Sequence, residues 1–219
     1  ELMGYPWAKD LVHVPFGMVS FEGETLSTRK GHVVYLDEVL DRACEKALDI
    51  INEKNPELPD KQKVARQVGI GAVIFYDLFS SRIKDVDFWW DRALNFEGET
   101  GPYVQYAHTR CCSVIAKAPV CEVEKADFSV LEDEASKELI AKLEAFPSIV
   151  AEAAEKYEPS VITRYSAALA QCYNKFYFEN RILSETEPVL QARLLVTKCT
   201  RDVLKTALGL LGIAAPQKM

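Results

Sequence analysis

No apolar run in this 219-residue chain approaches the ~20 residues needed to cross a bilayer. Glycine-rich phosphate-loop spacing is also missing, so nothing marks a P-loop nucleotide site. Cys-x-x-Cys spacing does not occur among Cys44, Cys111, Cys112, Cys121, Cys172 and Cys199. Disulfide scaffolds are shorter and denser in cysteine, and zinc sites need paired ligands, so reduced, mostly buried thiols are expected. Positive charge is in deficit. Lys+Arg number 26 against 33 Asp+Glu, a net charge of −7, which argues against a generic nucleic-acid binder but leaves room for a local basic stripe. The opening Glu1-Leu2-Met3-Gly4 has no basic leader, apolar core or initiator methionine, so a piece of a longer chain without a secretory signal is expected. No internal repeat or low-complexity tract is evident.

What is present is an ordinary globular composition, 48% hydrophobic and 27% charged, enough for one large domain or two small ones. Residues 11–20 read as a short, largely buried strand and Phe21-Glu22-Gly23-Glu24 as a turn. Asp37 is a plausible N-cap for a helix with Val39, Leu40, Ala43, Ala47, Ile50 and Ile51 on one face, ended by Asn55-Pro56. From Lys61 the stripe Val64, Val68, Ala72, Phe75 and Phe79 predicts a second helix. Gly69 and Gly71 weaken it unless a close partner uses their space. Three further helices carry stripes. The first has Leu139, Leu143, Phe146, Val150, Ala153 and Tyr157, with Pro147 expected to kink or break it. The second has Ile162, Tyr165, Leu169, Cys172 and Phe176. The third, from about Val189 to Leu211, has Ala192, Leu195, Cys199, Val203, Thr206 and Leu210, stopped by Gly212. Three amphipathic helices must pack together, so a helical bundle follows.

Candidate chemistry concentrates in three places. The loop Ser27-Thr28-Arg29-Lys30-Gly31 offers hydroxyls and cations that suit phosphoanhydride chemistry, although spacing alone favours a solvated turn. The Gly98-Glu99-Thr100-Gly101-Pro102 turn runs into a helix bearing Tyr103, Gln105, Tyr106, His108 and Arg110. A buried helix does not need that polar set, so it points to a surface that touches something. His108 and Cys111 share a helix face but lack an orienting third group, which disfavours a nucleophilic dyad. Tyr173 falls one position off the 162–176 stripe and is expected at the solvent edge, where a tyrosine can stack an unpaired base.

Several blocks together resemble the C-terminal half of class I arginyl-tRNA synthetases. They are His13-Val14-Pro15-Phe16-Gly17-Met18-Val19, Ser27 to Gly31, Phe96 to Arg110, and Leu210 to Met219, in family order along about the whole chain. The resemblance implies a mainly α fold: a DALR-type helical anticodon-binding domain over 99–219, preceded by a small α/β remnant of the nucleotide-binding catalytic core over 1–98. It implies that Ser27, Thr28, Arg29 and Lys30 form the family's ATP-binding KMSKS-like loop. Thr25 and Thr28 stand where the two signature lysines fall, which leaves Arg29 and Lys30 as the catalytic candidates. It further implies contacts to tRNA(Arg) by Tyr103, Gln105, His108, Arg110, Tyr173 and Met219, the last two near the anticodon loop. The His-Ile-Gly-His signature is absent. The expected whole is therefore a cytoplasmic, monomeric arginine–tRNA ligase using ATP with Mg and L-arginine. The present chain binds tRNA, holds no cofactor or metal and does not aminoacylate alone. Two alternatives stay open at this point, the equivalent domain of another class I synthetase such as the cysteinyl enzyme, and an acidic helical protein-interaction module.

Overall fold

The computed structural model describes residues 1–25, 34–183 and 185–219. Among these, three short strands and seven α-helices form. Strand β1 (Val19–Phe21) lies between β2 (Glu24–Thr25), antiparallel to it, and β3 (Val86–Phe88), parallel to it. Register pairs Phe21 with Glu24 on one side and with Phe88 on the other. The predicted turn forms at Glu22 and Gly23, both with positive φ, as a two-residue hairpin demands. The predicted strand over 11–20 is otherwise a correction. Only its last two residues pair in the sheet, and Leu11, Val12, Phe16 and Met18 are exposed. An apolar run reads as buried only if a neighbouring layer covers it, and none does here among the described residues.

The parallel β1–β3 pair needs a crossover, and two packed helices supply it. Helix α1 (Leu36–Lys54) buries Ala43, Ala47 and Ile51. It starts ahead of Asp37, whose Oδ1 instead accepts from the Glu38 N–H in the first turn. Helix α2 (Lys61–Phe79) buries the predicted Val64, Val68, Ala72 and Phe75. Gly69 does have the close partner it needs: a Cβ there would stand 2.6 Å from the Ala43 carbonyl group. Phe88 joins sheet to helices, stacking on Phe21 at 5.3 Å and meeting Tyr76 and Trp90 edge-on at 5.2 and 5.1 Å. A short turn, α3 (Trp90–Ala93), follows.

The remaining helices are α4 (Gly101–Lys117), α5 (Glu134–Lys156), α6 (Ser160–Glu179) and α7 (Glu187–Leu210). Thr100 caps α4 by accepting from the Tyr103 N–H at 3.3 Å, with Pro102 in the first turn, as the Gly-Glu-Thr-Gly-Pro run leads one to expect. Helix α5 passes through Pro147 without a break. Tyr157, assigned above to its core stripe, is instead the left-handed C-cap residue and exposed.

One stripe is widened and another displaced. On α6 the predicted Ile162, Tyr165, Leu169 and Phe176 are buried, Cys172 is only partly covered, and Ser166 and Tyr173 join the buried face. At about 100° per residue, Tyr173 lies about 20° from Ile162 around the helix and Cys172 about 80° away on the other side. On α7 the buried set runs Leu190, Leu194, Thr197, Leu204 and Leu208, whereas Cys199, Thr206 and Leu210 are exposed. Its buried threonine hydroxyls donate one turn back, Thr197 to the Arg193 carbonyl at 2.9 Å and Thr200 to Val196 at 2.8 Å. Buried threonines hid the true face from an apolar count.

Two buried clusters result. One fills the bundle of α4 to α7 and takes Phe75 from α2; the other joins α1, α2, α3 and Phe88. The expected mainly α bundle with a small α/β part is thus present, with α2 shared between them. Gly69→Ala should lower the melting temperature by forcing α1 and α2 apart. Gly209→Ala, on α7 with nothing within 4 Å of a new Cβ, should gain up to about 1 kcal/mol. Urea unfolding of the two variants measures both signs.

Candidate nucleic-acid interface

The polar residues of α4 divide between two jobs. Gln105 is fully buried and His108 is 2% exposed, so neither side chain faces solvent; this corrects the expectation of an outward polar set. The cause lies in the stretch after α7. Gly212, with φ +74°, ends that helix, and the Ile213 N–H returns to the Leu208 carbonyl at 2.9 Å. The following segment has no regular structure, so its buried carbonyls need donors. Helix α4 supplies them. Gln105 Nε2 donates to the Ala214 carbonyl at 2.8 Å and to Gln67 on α2 at 3.0 Å. Pro216 O accepts from His108 Nδ1 at 2.9 Å and from Thr109 Oγ1 at 3.0 Å. Burial holds the His108 pKa below its ordinary value, against the opposing pull of the Pro216 carbonyl. The neutral ring then carries its proton on Nδ1.

Tyr173 is also a correction: it is 0% exposed, packed at the centre of the bundle rather than at its edge. Its hydroxyl lies near the Cys111 thiol and the Thr197 hydroxyl without a hydrogen bond of good geometry to either, and burial drives its pKa upward. Stacking on a base is closed to it. The neighbouring Cys111 thiol is pushed up to about 12 by burial, so the His108–Cys111 pair cannot act as nucleophile and base near neutral pH.

What α4 and α6 do present outward is an arginine held between two tyrosines. The Arg110 guanidinium lies 4.9 Å from the Tyr106 ring centroid and 5.0 Å from that of Tyr177. Each tyrosine is 42% exposed. Asn174 fixes the arrangement, accepting from Arg110 Nη1 through Oδ1 and donating from Nδ2 to the Tyr103 hydroxyl at 2.9 Å. Next to Tyr177, Phe178 is 90% exposed. Tyr103 and Arg110 are thus brought to one face. Tyr106, named above in the polar set of this helix, was not carried into the expected tRNA contacts although it stands four residues from Arg110, the spacing of helix neighbours, and Asn174 and Tyr177 were missed.

Tyr106 also borders a cleft of about 640 Å³ whose other walls include Ile50, Lys54, Asn55, Asn95, Phe96 and Met219. The segment anchored by α4 delivers Met219 here, where its carbonyl accepts from Asn55 Nδ2 at 3.3 Å. Lys54 Nζ sits 5.4 Å over the Phe96 ring. Arg110 and Met219 are thus joined through Tyr106. The loop residues Ser27, Thr28, Arg29 and Lys30 lie outside the described residues. Among the described residues no cluster of three or more His, Cys, Asp or Glu could hold a metal ion, and no helix is long and apolar enough to cross a membrane.

An all-helical bundle agrees with what sequence comparison finds. Residues 104–219 match the family model of the DALR anticodon binding domain, and the chain belongs to that family. Residues 1–90 match the model for the catalytic domain of class I (R) tRNA synthetases. The particular relatives are arginine–tRNA ligases: that of Halothermothrix orenii is 52% identical and that of Clostridioides difficile 49%, each over 219 residues. The whole chain is covered in both, but it spans only 39% of either relative's length. The solved arginyl-tRNA synthetase of Thermus thermophilus superposes with a TM-score of 0.90 at 37% identity, covering 100% of this chain and 37% of that one. The Plasmodium falciparum arginyl-tRNA synthetase, at 24% identity and a TM-score of 0.78, shares the fold over 94% of this chain and 35% of its own.

The burial of Tyr173 has a direct consequence. Tyr173→Phe should change stability by no more than about 1 kcal/mol, because the hydroxyl it removes makes no hydrogen bond of good geometry. Tyr173→Ala should cost about 3–5 kcal/mol, the range for emptying an aromatic site in a core. Thermal melting of the two variants distinguishes this from an edge position, where both would be mild.

Proposed function

We propose that this chain is the tRNA-binding C-terminal part of an arginine–tRNA ligase, and that the α4–α6 face with the adjoining cleft receives unpaired anticodon bases of tRNA(Arg). The observation that carries the reading is the Arg110 guanidinium held between Tyr106 and Tyr177. Exposed aromatic rings stack bases, and a guanidinium already ordered between rings adds a planar donor at low ordering cost. Tyr103 supports the stack through Asn174, and Met219 closes the neighbouring cleft. Gln105 and His108 serve the face from inside, by seating the segment that carries Met219.

In this reading the arginine carboxylate of the intact ligase's substrate attacks the α-phosphate of ATP and displaces pyrophosphate, and the aminoacyl group then passes to the terminal ribose hydroxyl of tRNA with release of AMP; Mg would supply the counter-charge to the phosphates. Arg29 and Lys30, with Ser27 and Thr28, are assigned by family resemblance to stabilising charge on the phosphates. This chain alone binds tRNA and does not aminoacylate. The division between catalytic part and anticodon-binding domain falls near residue 98, and the enzyme works in the cytoplasm as a monomer. The −7 net charge fits base stacking better than extensive phosphate contact, and it predicts a shallow salt dependence.

Tyr106→Ala should weaken arginine-tRNA binding by about 1–3 kcal/mol, the usual worth of a base stack, with folding stability within about 0.5 kcal/mol of the parent. Fluorescence anisotropy and thermal melting measure the two quantities. Unchanged affinity would contradict the assignment of this face.

A further inference from the structure

Away from the α4–α6 face, one side chain ties separate stretches of chain together. Arg82 lies in the connection between α2 and β3. Its Nε donates to the Tyr157 carbonyl at 2.9 Å and its Nη1 to the Pro15 carbonyl at 2.8 Å. Its own carbonyl accepts from the Gly17 N–H at 2.7 Å. The chains run so close there that a Cβ on Gly17 would collide with the Lys84 carbonyl. Glu158 closes the ring from the far side. Its carboxylate accepts from Ser81 Oγ at 2.9 Å, from the Arg82 N–H at 3.2 Å and from the Ser160 N–H at 3.4 Å. Burial works to raise the Glu158 pKa, but these hydrogen bonds outweigh it and hold the pKa below the usual value.

The places joined matter more than the bonds themselves. Tyr157 and Glu158 form the corner between α5 and α6, Tyr157 with a left-handed φ of 50°. Pro15 and Gly17 lead directly into β1. Helix α2 already belongs to both buried clusters, so the bundle is firmly fixed to α2. The segment before β1 is different: its apolar side chains are exposed and it packs into neither cluster. Hydrogen bonds of the Gly17 and Met18 backbone hold this segment to the α2–β3 connection, and the Arg82 fork carries the hold across to the bundle corner.

We propose that Arg82 is a positioning residue for the ligase reaction: by clamping Pro15 to the α5–α6 corner, it adds a second tie between the start of the sheet and the bundle, beside the packing of both on α2. A tRNA held on α4 and α6 then reaches the catalytic part in register. This rests on the tRNA-ligase reading above. Reactions that depend on orientation lose rate steeply when a distant support slips. The planar guanidinium donates to two carbonyls in different segments, which a single ammonium cannot span in the same way.

The test uses the intact ligase carrying this sequence, as Arg82→Ala, Arg82→Lys and Ser81→Ala, with anisotropy titration of arginine tRNA on each. For Arg82→Ala the aminoacylation kcat should fall on the order of tenfold, while KM and Kd for tRNA stay within about twofold. Arg82→Lys should recover only part of kcat. An unchanged kcat would overturn the proposal, and so would a parallel loss of kcat and tRNA affinity. Should Arg82→Ala fail to fold, Ser81→Ala, which removes one hydrogen bond to Glu158, must show the same split at smaller size; an unchanged kcat there overturns it equally. Failure of the unsubstituted protein to bind arginine tRNA would instead remove the functional reading, and the proposal with it.

Discussion

Helices α2 and α4 cross at Gly71 and Gly101 with no room for side chains between them. A Cβ on Gly101 would stand 2.8 Å from the Gly71 carbonyl oxygen, and one on Gly71 would stand 2.8 Å from Gln105 Nε2. Only at this spacing can a single amide on α4 reach carbonyls on both α2 and the segment after α7. That amide brings residues 214–216 into place, His108 and Thr109 complete the hold, and Met219 arrives beside Tyr106. The outward face of α4 therefore owes its shape to the inward one. Larger residues at the crossing would displace both.

In the proposed reading the same helix is how an acidic chain offers a surface to RNA. Arg110 does not stand as a free cation on a basic stripe. It is confined between two rings and fixed by Asn174, so part of the ordering cost of binding is met before any ligand arrives. Recognition of this kind depends on stacking and on donor geometry. It needs few phosphate contacts, and the overall charge is a poor guide to it.

Much of the fold was legible from periodicity. The stripe of α2, the Thr100-capped start of α4 and the Gly212 stop all follow from apolar spacing and turn chemistry, because local rules and tertiary packing agree there. The burial of Tyr173 on α6 and the displaced face of α7 were not legible for a specific reason. Over a span such as 162–176, two stripes one residue apart both carry apolar side chains. The choice falls to packing against α4 and α5, which no single-helix count contains. Residues 11–18 failed differently, since hydrophobicity alone does not say whether a covering layer is near. Within the candidate site, Arg110 and Tyr103 were read from the polar start of α4, and the structure brings them to one face. Gln105 and His108 were misplaced because polarity was equated with exposure, although a buried helix can need donors for a neighbouring coil, and Tyr173 because its stripe was drawn one position off.

The most direct test of the account is the affinity of this chain for arginine tRNA compared with a transcript differing only in the anticodon, at fixed salt. The α4–α6 face reads unpaired bases in this account, and because stacking tolerates any base the Arg110 donors must discriminate; the altered transcript should bind about tenfold or more weakly, one lost charge-assisted hydrogen bond at about 1.5–3 kcal/mol. Equal affinity for the two would contradict it, and would mean that whatever binds this chain does not address the anticodon through Tyr106, Arg110 and Tyr177.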